Sequence, residues 1–159
     1  MGRRIFIVVV ITTIVAVIEK FHDMKPRNWH ETRIIVDRKS RFQGRCTSLT
    51  NSNQIPTLIE LFKQDHKRLV KSSSHAYIYA WRTADKDKEW MNVQSGHYDC
   101  GESGAGSELS KVIERSDVYN VILIVTRWMS GGSIGPKRFK HINEVGKLSL
   151  EDFAQKNDD

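Results

Sequence analysis

The amino-acid sequence predicts an α+β fold, a two-layer sandwich in which a sheet of about four strands carries its helices on one face. Three observations lead there. Residues 121–126 form an unbroken run, Val-Ile-Leu-Ile-Val-Thr, apolar at nearly every position as a central strand buried on both faces must be. Three other stretches place apolar side chains at helical spacing: Leu58, Ile59, Leu61, Phe62 and Leu69; then Leu109, Val112 and Ile113; then Phe139, Ile142 and Val145. These stretches alternate with strand-like runs in the order β-β-α-β-(loop)-α-β-α, and 159 residues suffice for one core without staples.

Residues 1–31 read as an apolar N-terminal segment plus a polar linker around Pro26, residues 32–150 as the folded domain, and residues 151–159 as an acidic tail that frays. Within the domain, residues 32–36 and 42–49 are two strands joined by the charged turn 37–41, forming a hairpin. Turn chemistry at 50–53 leads into a helix with Pro56 in its first turn, where the missing N–H has no intrahelical partner to lose. Lys63, Lys67 and Arg68 oppose that helix's apolar face, and Ser72-Ser73-Ser74 ends it. Residues 75–83 alternate Tyr77, Tyr79 and Trp81 with Ala76, Ile78 and Ala80, a strand suited to cover on both faces. Residues 85–97 are charged and non-periodic and are expected to be a flexible loop. Helices follow at 107–116 and from Pro136 onward, on either side of the 121–126 strand.

Arg3-Arg4 precede residues 5–18, fourteen residues of which ten are Ile or Val. A spanning helix needs about 20 apolar residues, so this run is short for one. Its basic start and its length suit a targeting peptide, although Ala16-Val17-Ile18 offers no small-x-small cleavage site. The expectations are a targeting or anchoring segment, with membrane contact only in that case; a strand docked on the domain; or an incorrectly assigned start codon. The formal charge of +6 and an isoelectric point near 9.4 favour an acidic partner: nucleic acid, an acidic protein face or an anionic membrane. Cys46 and Cys100 are too few for a disulfide scaffold and lack the C-x-x-C spacing of a zinc site. Reduced thiols in a cytoplasmic protein are expected, with no metal and no cofactor.

Two stretches carry the chemistry. In residues 120–142 a buried strand ends at Arg127-Trp128, breaks into a serine/glycine loop containing Gly131 and Gly135, and restarts at Pro136 as a helix. The first turns of that helix hold Lys137, Arg138, Lys140 and His141. Glycines let backbone N–H groups approach a ligand, and a helix N-terminus favours negative charge. The plainer reading is a tight strand-to-helix turn with a solvated basic face. Arg127, at the end of a buried strand, is either aimed at a ligand or paired with Asp99 or Glu102, clipping two glycine loops together.

The other loop runs Asp99-Cys100-Gly101-Glu102-Ser103-Gly104-Ala105-Gly106 ahead of the 107–116 helix. Asp99 and Glu102 could form an acid/base pair or part of a metal site. Two carboxylates are few for a hard cation, however, and capping the following helix is the simpler reading. Ser103 stands one residue off the G-x-S-x-G nucleophile elbow, which needs a preceding strand, and residues 96–99 are not strand-like. His75 opens its strand as a hydrogen-bonded structural residue or, should it approach Asp99 or Glu102, as a group that switches near neutral pH.

Together these stretches resemble the IMPACT family of translational regulators, called YigZ-type proteins in bacteria. The family pattern runs D-D-G-E-x-x-G/A-G before a helix, then a Val/Ile-rich strand, T/S-R-W/Y, a glycine loop and R-F-x-H-I. Residues 37–45, D-R-K-S-R-F-Q-G-R, match its early D-R/K-x-S-x-F-x-G strand pair, and the strand opening at His75 and reaching Arg82 matches its central one. The resemblance implies a sandwich like the second domain of ribosomal protein S-five, shared with the GHMP kinases, in which a glycine loop holds ATP phosphates. Fold alone does not carry that function across.

The resemblance also implies a non-enzymatic regulator. Eukaryotic members oppose the starvation-sensing kinase that phosphorylates the second initiation factor, by competing for the kinase's large ribosome-associated activator, and they bind monomeric actin. Arg127, Trp128, Gly131, Gly135, Lys137, Arg138, Lys140 and His141 would form the contact surface, with Asp99, Gly101, Glu102, Gly104, Gly106 and His75 in the motif loop beside it. The alternatives are an RNA or ribosome binder, whose affinity would fall steeply with salt, and a small hydrolase or nucleotide-binding enzyme. Eukaryotic members also carry an N-terminal RWD domain and bacterial members a second C-terminal domain; this sequence has a counterpart of neither, so a lone-domain member would keep part of the activity. Two positions depart from the pattern. Ser130 replaces a glycine, at about 1 kcal/mol if positive φ is needed there. Cys100 replaces the second Asp of D-D-G-E.

Overall fold

The computed structural model describes residues 7–16 and 28–157. Among these, the strands are β1 (His30–Glu31), β2 (Ile35–Asp37), β3 (Ser40–Ser48), β4 (His75–Asp85), β5 (Met91–Tyr98) and β6 (Val121–Met129). The helices are α1 (residues 7–16), α2 (Ile55–Asp65), α3 (Lys67–Ser72), α4 (Ala105–Arg115) and α5 (Lys137–Asn157). All strand pairings are antiparallel, in the order β1-β3-β6-β4-β5, with β2 on β3 as well.

The apolar run becomes the centre of the sheet. Val121 to Val125 are fully buried, with Gly44 of β3 opposite Val125 and Ala80 of β4 opposite Leu123. Period-two alternation sends successive side chains to opposite faces. Leu123 and Val125 join Phe42, Ile78 and Ala80 under Leu109 and Ile113 of α4 and Ile142, Val145 and Leu150 of α5. Ile122, Ile124 and Leu49 meet Ile55, Leu58, Ile59 and Phe62 of α2 on the other side. The α+β class is as the sequence predicts, and α4 and α5 share one face. Helix α2 covers the opposite face, so the helices do not all lie on one face as expected: β6 is apolar on both sides and each needs cover.

Glycine sets how closely α5 lies on the sheet. A Cβ on Gly44 would stand 2.2 Å from the Val145 carbonyl oxygen, so no other residue at 44 admits that backbone contact. On the opposite face, the Asn51 side chain accepts the Asn53 N–H at 2.8 Å and caps a short turn, residues 52–54, that leads into α2, where Pro56 fills the first turn. It breaks at His66 (φ −117°, ψ 37°), so the single helix expected through Leu69 is two.

Five further expectations are corrected. Residues 85–97 do not form a loop throughout: Met91–Tyr98 is an edge strand hydrogen-bonded to β4, reached through left-handed residues Glu89 and Trp90. Residues 32–36 are not one strand; β1 and β2 are two short pieces on β3, and β2 makes the expected hairpin through Ile35 opposite Phe42. The linker expectation at 21–27 falls outside the described residues. From Asn28 the chain is docked, with the Trp29 ring edge-on to Phe62 at 5.6 Å. The expected fraying from Glu151 does not occur, because α5 continues to Asn157, Phe153 packs on the core, and His30 Nδ1 lies 3.0 Å from Asp152 Oδ2. Residues 7–16, one expectation for which was a docked strand, are a helix with exposed side chains.

Candidate functional site

The first glycine loop connects β5 to α4. Asp99 accepts the Gly104 N–H on Oδ2 at 3.0 Å and the Gly106 N–H on Oδ1 at 2.8 Å, tying down backbone donors at the start of α4. A Cβ on Gly106 would be 2.8 Å from the Tyr98 backbone, so α4 starts in contact with the strand that precedes it. Gly101 (φ +80°) and Gly104 (φ +85°) are left-handed, and so is Cys100 (φ +49°). Asp and Asn visit that region several-fold more readily than other side chains. The Asp that the family pattern carries here therefore fits a turn-forming position, and cysteine occupies it at some backbone strain.

The second loop connects β6 to α5. Gly131 (φ +147°) and Gly135 (φ +62°) are left-handed there, and Ser130 is not. The strain anticipated at Ser130 does not arise; its hydroxyl bonds to the Lys39 carbonyl at 3.2 Å.

Glu102 joins the two loops. It is 5% exposed, and Arg127, itself 2% exposed, donates from Nη1 to its Oε2. Arg138 donates from Nε to Oε1 at 2.7 Å and from Nη1 to the Gly135 carbonyl at 2.9 Å. One carboxylate thus holds the end of β6, the start of α5 and the glycine that precedes it. His75 completes the cluster: Nδ1 is 2.9 Å from the Cys100 carbonyl, which can only accept, and Nε2 is 3.4 Å from Glu102 Oε2. The Arg127 guanidinium also lies over the Phe42 ring at 5.5 Å, and its Nε is buried without a hydrogen-bond partner. Charges this buried persist only when paired and hydrogen-bonded, which makes the cluster a unit.

Of the two readings of Arg127, the ion pair to Glu102 is the one seen. The other cations of the 127–141 stretch separate by exposure. His141 Nε2 sits 2.7 Å from Asp37 Oδ2, anchoring α5 to the β2–β3 hairpin. That hydrogen bond, with the charges of His141, Lys137 and Arg38, holds the Asp37 carboxyl below its ordinary range. Trp128 donates Nε1–H to Ser72 Oγ at 3.0 Å, and Arg41 stacks over its ring at 5.1 Å. Lys137 and Lys140 remain exposed. The roles of Arg138 and His141 were not legible, because their partners lie 36 and 104 residues away along the chain.

A strand does precede Ser103, contrary to expectation, since β5 runs into the loop. Ser103 itself is exposed, while the nearby histidine is engaged by Cys100 and Glu102. Among the described residues no group of three or more His, Cys, Asp or Glu is placed to hold a metal ion.

An antiparallel sheet with α4 and α5 on one face, and two glycine loops pinned by one buried carboxylate, defines a class of domain. Residues 38–150 match the Impact N-terminal domain, and the chain belongs to the IMPACT family. It is 35% identical over 154 residues to the IMPACT family member YDL177C of Saccharomyces cerevisiae, covering 77% of this chain and 90% of that one. It is 36% identical over 122 residues to the Protein IMPACT homolog of the same yeast, covering 77% of this chain but 45% of that protein. Among solved structures it is similar to the two-domain translational regulator Yih1, with a TM-score of 0.55 and 32% identity, over 80% of this chain and 48% of Yih1. The chain thus spans about half the length of the longer relatives.

Proposed function

We propose that this chain regulates translation by binding proteins. In this reading it opposes activation of the starvation-sensing initiation-factor kinase by occupying the kinase's activator, with monomeric actin as a second partner, in the cytoplasm. Family membership supports the reading, as does the similarity to Yih1, a two-domain translational regulator. The observation that carries it is the inward commitment of the motif's charges. Asp99 is bound to backbone amides, and Glu102 is bound by Arg127 and Arg138 with His75 beside it. General acid–base catalysis needs a group free to exchange a proton with a substrate. These groups instead hold a shape, and Lys137 and Lys140 face outward from it as a contact surface.

The test is affinity purification of the activator and of actin with wild type beside Lys137→Glu/Lys140→Glu. Charge reversal at exposed positions is expected to weaken activator capture by about tenfold or more while the melting temperature stays within about 2 °C. Unchanged capture by the double variant would remove this surface from the proposal. A second reading, RNA binding, is favoured by one feature: Arg41 stacked on Trp128, with Lys39 alongside Gly131. An RNA gel shift that weakens steeply with salt, together with no activator capture, would select it.

A further inference from the structure

Helix α1 has no place in the reading above, and its surface is unlike that of any other helix in the domain. Ile7, Val8, Val9, Val10, Ile11, Ile14 and Val15 are all exposed, from 44% at Val10 to 62% at Val8. A helix lying on a soluble domain shows an apolar stripe and a polar back; one that is apolar all round belongs in an apolar medium. Its only polar side chains are Thr12 and Thr13. Each hydroxyl bonds back to the carbonyl four residues earlier, Val8 O at 2.7 Å and Val9 O at 2.8 Å. No side-chain polar group of α1 is left in need of water.

The helical state itself points the same way. Valine and isoleucine are weak helix formers in water, so a short isolated helix built of them does not hold there. In hydrocarbon the preference reverses, because every backbone N–H and C=O must be satisfied within the segment. The sequence places Arg3 and Arg4 before α1 and Lys20, Lys25 and Arg27 after it, against Glu19 and Asp23. That excess of cations on both flanks complements anionic headgroups. No helix among the described residues is long and apolar enough to cross a membrane. At about 1.5 Å per residue the fourteen-residue apolar run 5–18, as a helix, would reach about two-thirds of the depth of a bilayer's hydrocarbon core and fall short of spanning it.

We propose that α1 is a one-leaflet anchor: it enters an anionic bilayer with its flanking cations at the headgroups and tethers the domain to a membrane surface. This inference stands independently of the translational reading.

The test is co-sedimentation of the full-length protein with vesicles of phosphatidylcholine alone and of phosphatidylcholine with phosphatidylserine, alongside two variants. Wild type is expected to pellet with both and more with the anionic vesicles. Ile11→Asp/Val15→Asp should lose at least about tenfold in partitioning into either, since a carboxylate in hydrocarbon is strongly disfavoured. Arg3→Glu/Arg4→Glu should retain binding to neutral vesicles and lose the anionic preference. The domain's melting temperature should be the same in all three proteins. Wild type left in the supernatant of anionic vesicles overturns the proposal. So does a vesicle-free oligomer that Ile11→Asp/Val15→Asp disperses while wild type ignores lipid, which would make a second copy the partner. Recovery from cells of a chain lacking residues 1–27 also overturns it, as a removed targeting peptide.

Discussion

The two faces of the sheet are filled by opposite means. Under α4 and α5 the fit depends on side chains that are missing: Gly44 admits the Val145 carbonyl, Gly106 rests on the Tyr98 backbone, and Gly146 faces Leu109. A buried ion-pair cluster closes the end of that layer. Under α2 bulky side chains do the filling: Leu49, Ile55, Leu58 and Ile59 with Phe62, on which His66 stacks at 4.4 Å, and Tyr79 tilted against Tyr98 at 5.4 Å. One face cannot accept added atoms, and the other relies on bulk that can shift. Close backbone contact permits one residue type at a position, whereas ring packing tolerates several. The glycines and paired charges of this chain's two loops collect on the first face.

The contrast can be broken most forcefully at Glu102. Glu102→Ala leaves Arg127 and Arg138 without their shared carboxylate, and losing one partner of a buried pair destabilises by about 3–5 kcal/mol. Urea denaturation measures it; a loss under about 1 kcal/mol would mean that water already solvates the cluster. Gly44→Ala comes next, forcing α5 off β3 for a loss of about 1–3 kcal/mol. No loss there would show that the helix slides freely and that the two faces are equally plastic. Tyr98→Ala samples the other face, and because the ring is 45% exposed the expected loss is about 1 kcal/mol or less. A larger value would put the edge strand among the tight contacts.

The smallest effect concerns the hairpin. Asp37 has a depressed pKa, caused first by the hydrogen bond from His141. A carboxyl depressed in the folded state stabilises above its unfolded pKa, and that contribution disappears as pH falls through the folded value. The stability gap between wild type and Asp37→Asn is therefore full at neutral pH and closes below about pH 4. A gap that stays constant to acid pH would remove the charge from the account of this contact.

Legibility followed local pattern. The strands β3, β4 and β6 and the helices α2, α4 and α5 announced themselves by apolar spacing, because each buries a face in the core. Strand β5 did not: it is exposed along nearly its whole length and pairs with β4 alone, so no alternation was imposed on Met91 to Tyr98. Its turn gave no glycine or proline signal either, since Glu89 and Trp90 take up the left-handed positions. At the site, the pairing of Arg127 with Glu102 stood as one of two readings, because two glycine loops with complementary charges invite it. Arg138 and His141 read as free surface cations. Their capture by Glu102 and Asp37 depends on where α5 lies, which its own sequence does not encode.

Strand β6 is hydrogen-bonded along both edges, to β3 on one side and β4 on the other, yet it is the last strand among the described residues. During synthesis β3 and the β4–β5 hairpin leave the ribosome first and wait for the segment that unites them. Until residues 121–129 emerge, two inner strand edges and the apolar side chains of Phe42 and Ile78 have no cover. A nascent chain in that condition invites pairing with its neighbours and the attention of chaperones. C-terminal truncations that stop short of Val121 should accordingly accumulate as insoluble material, whatever share of the motif residues they retain.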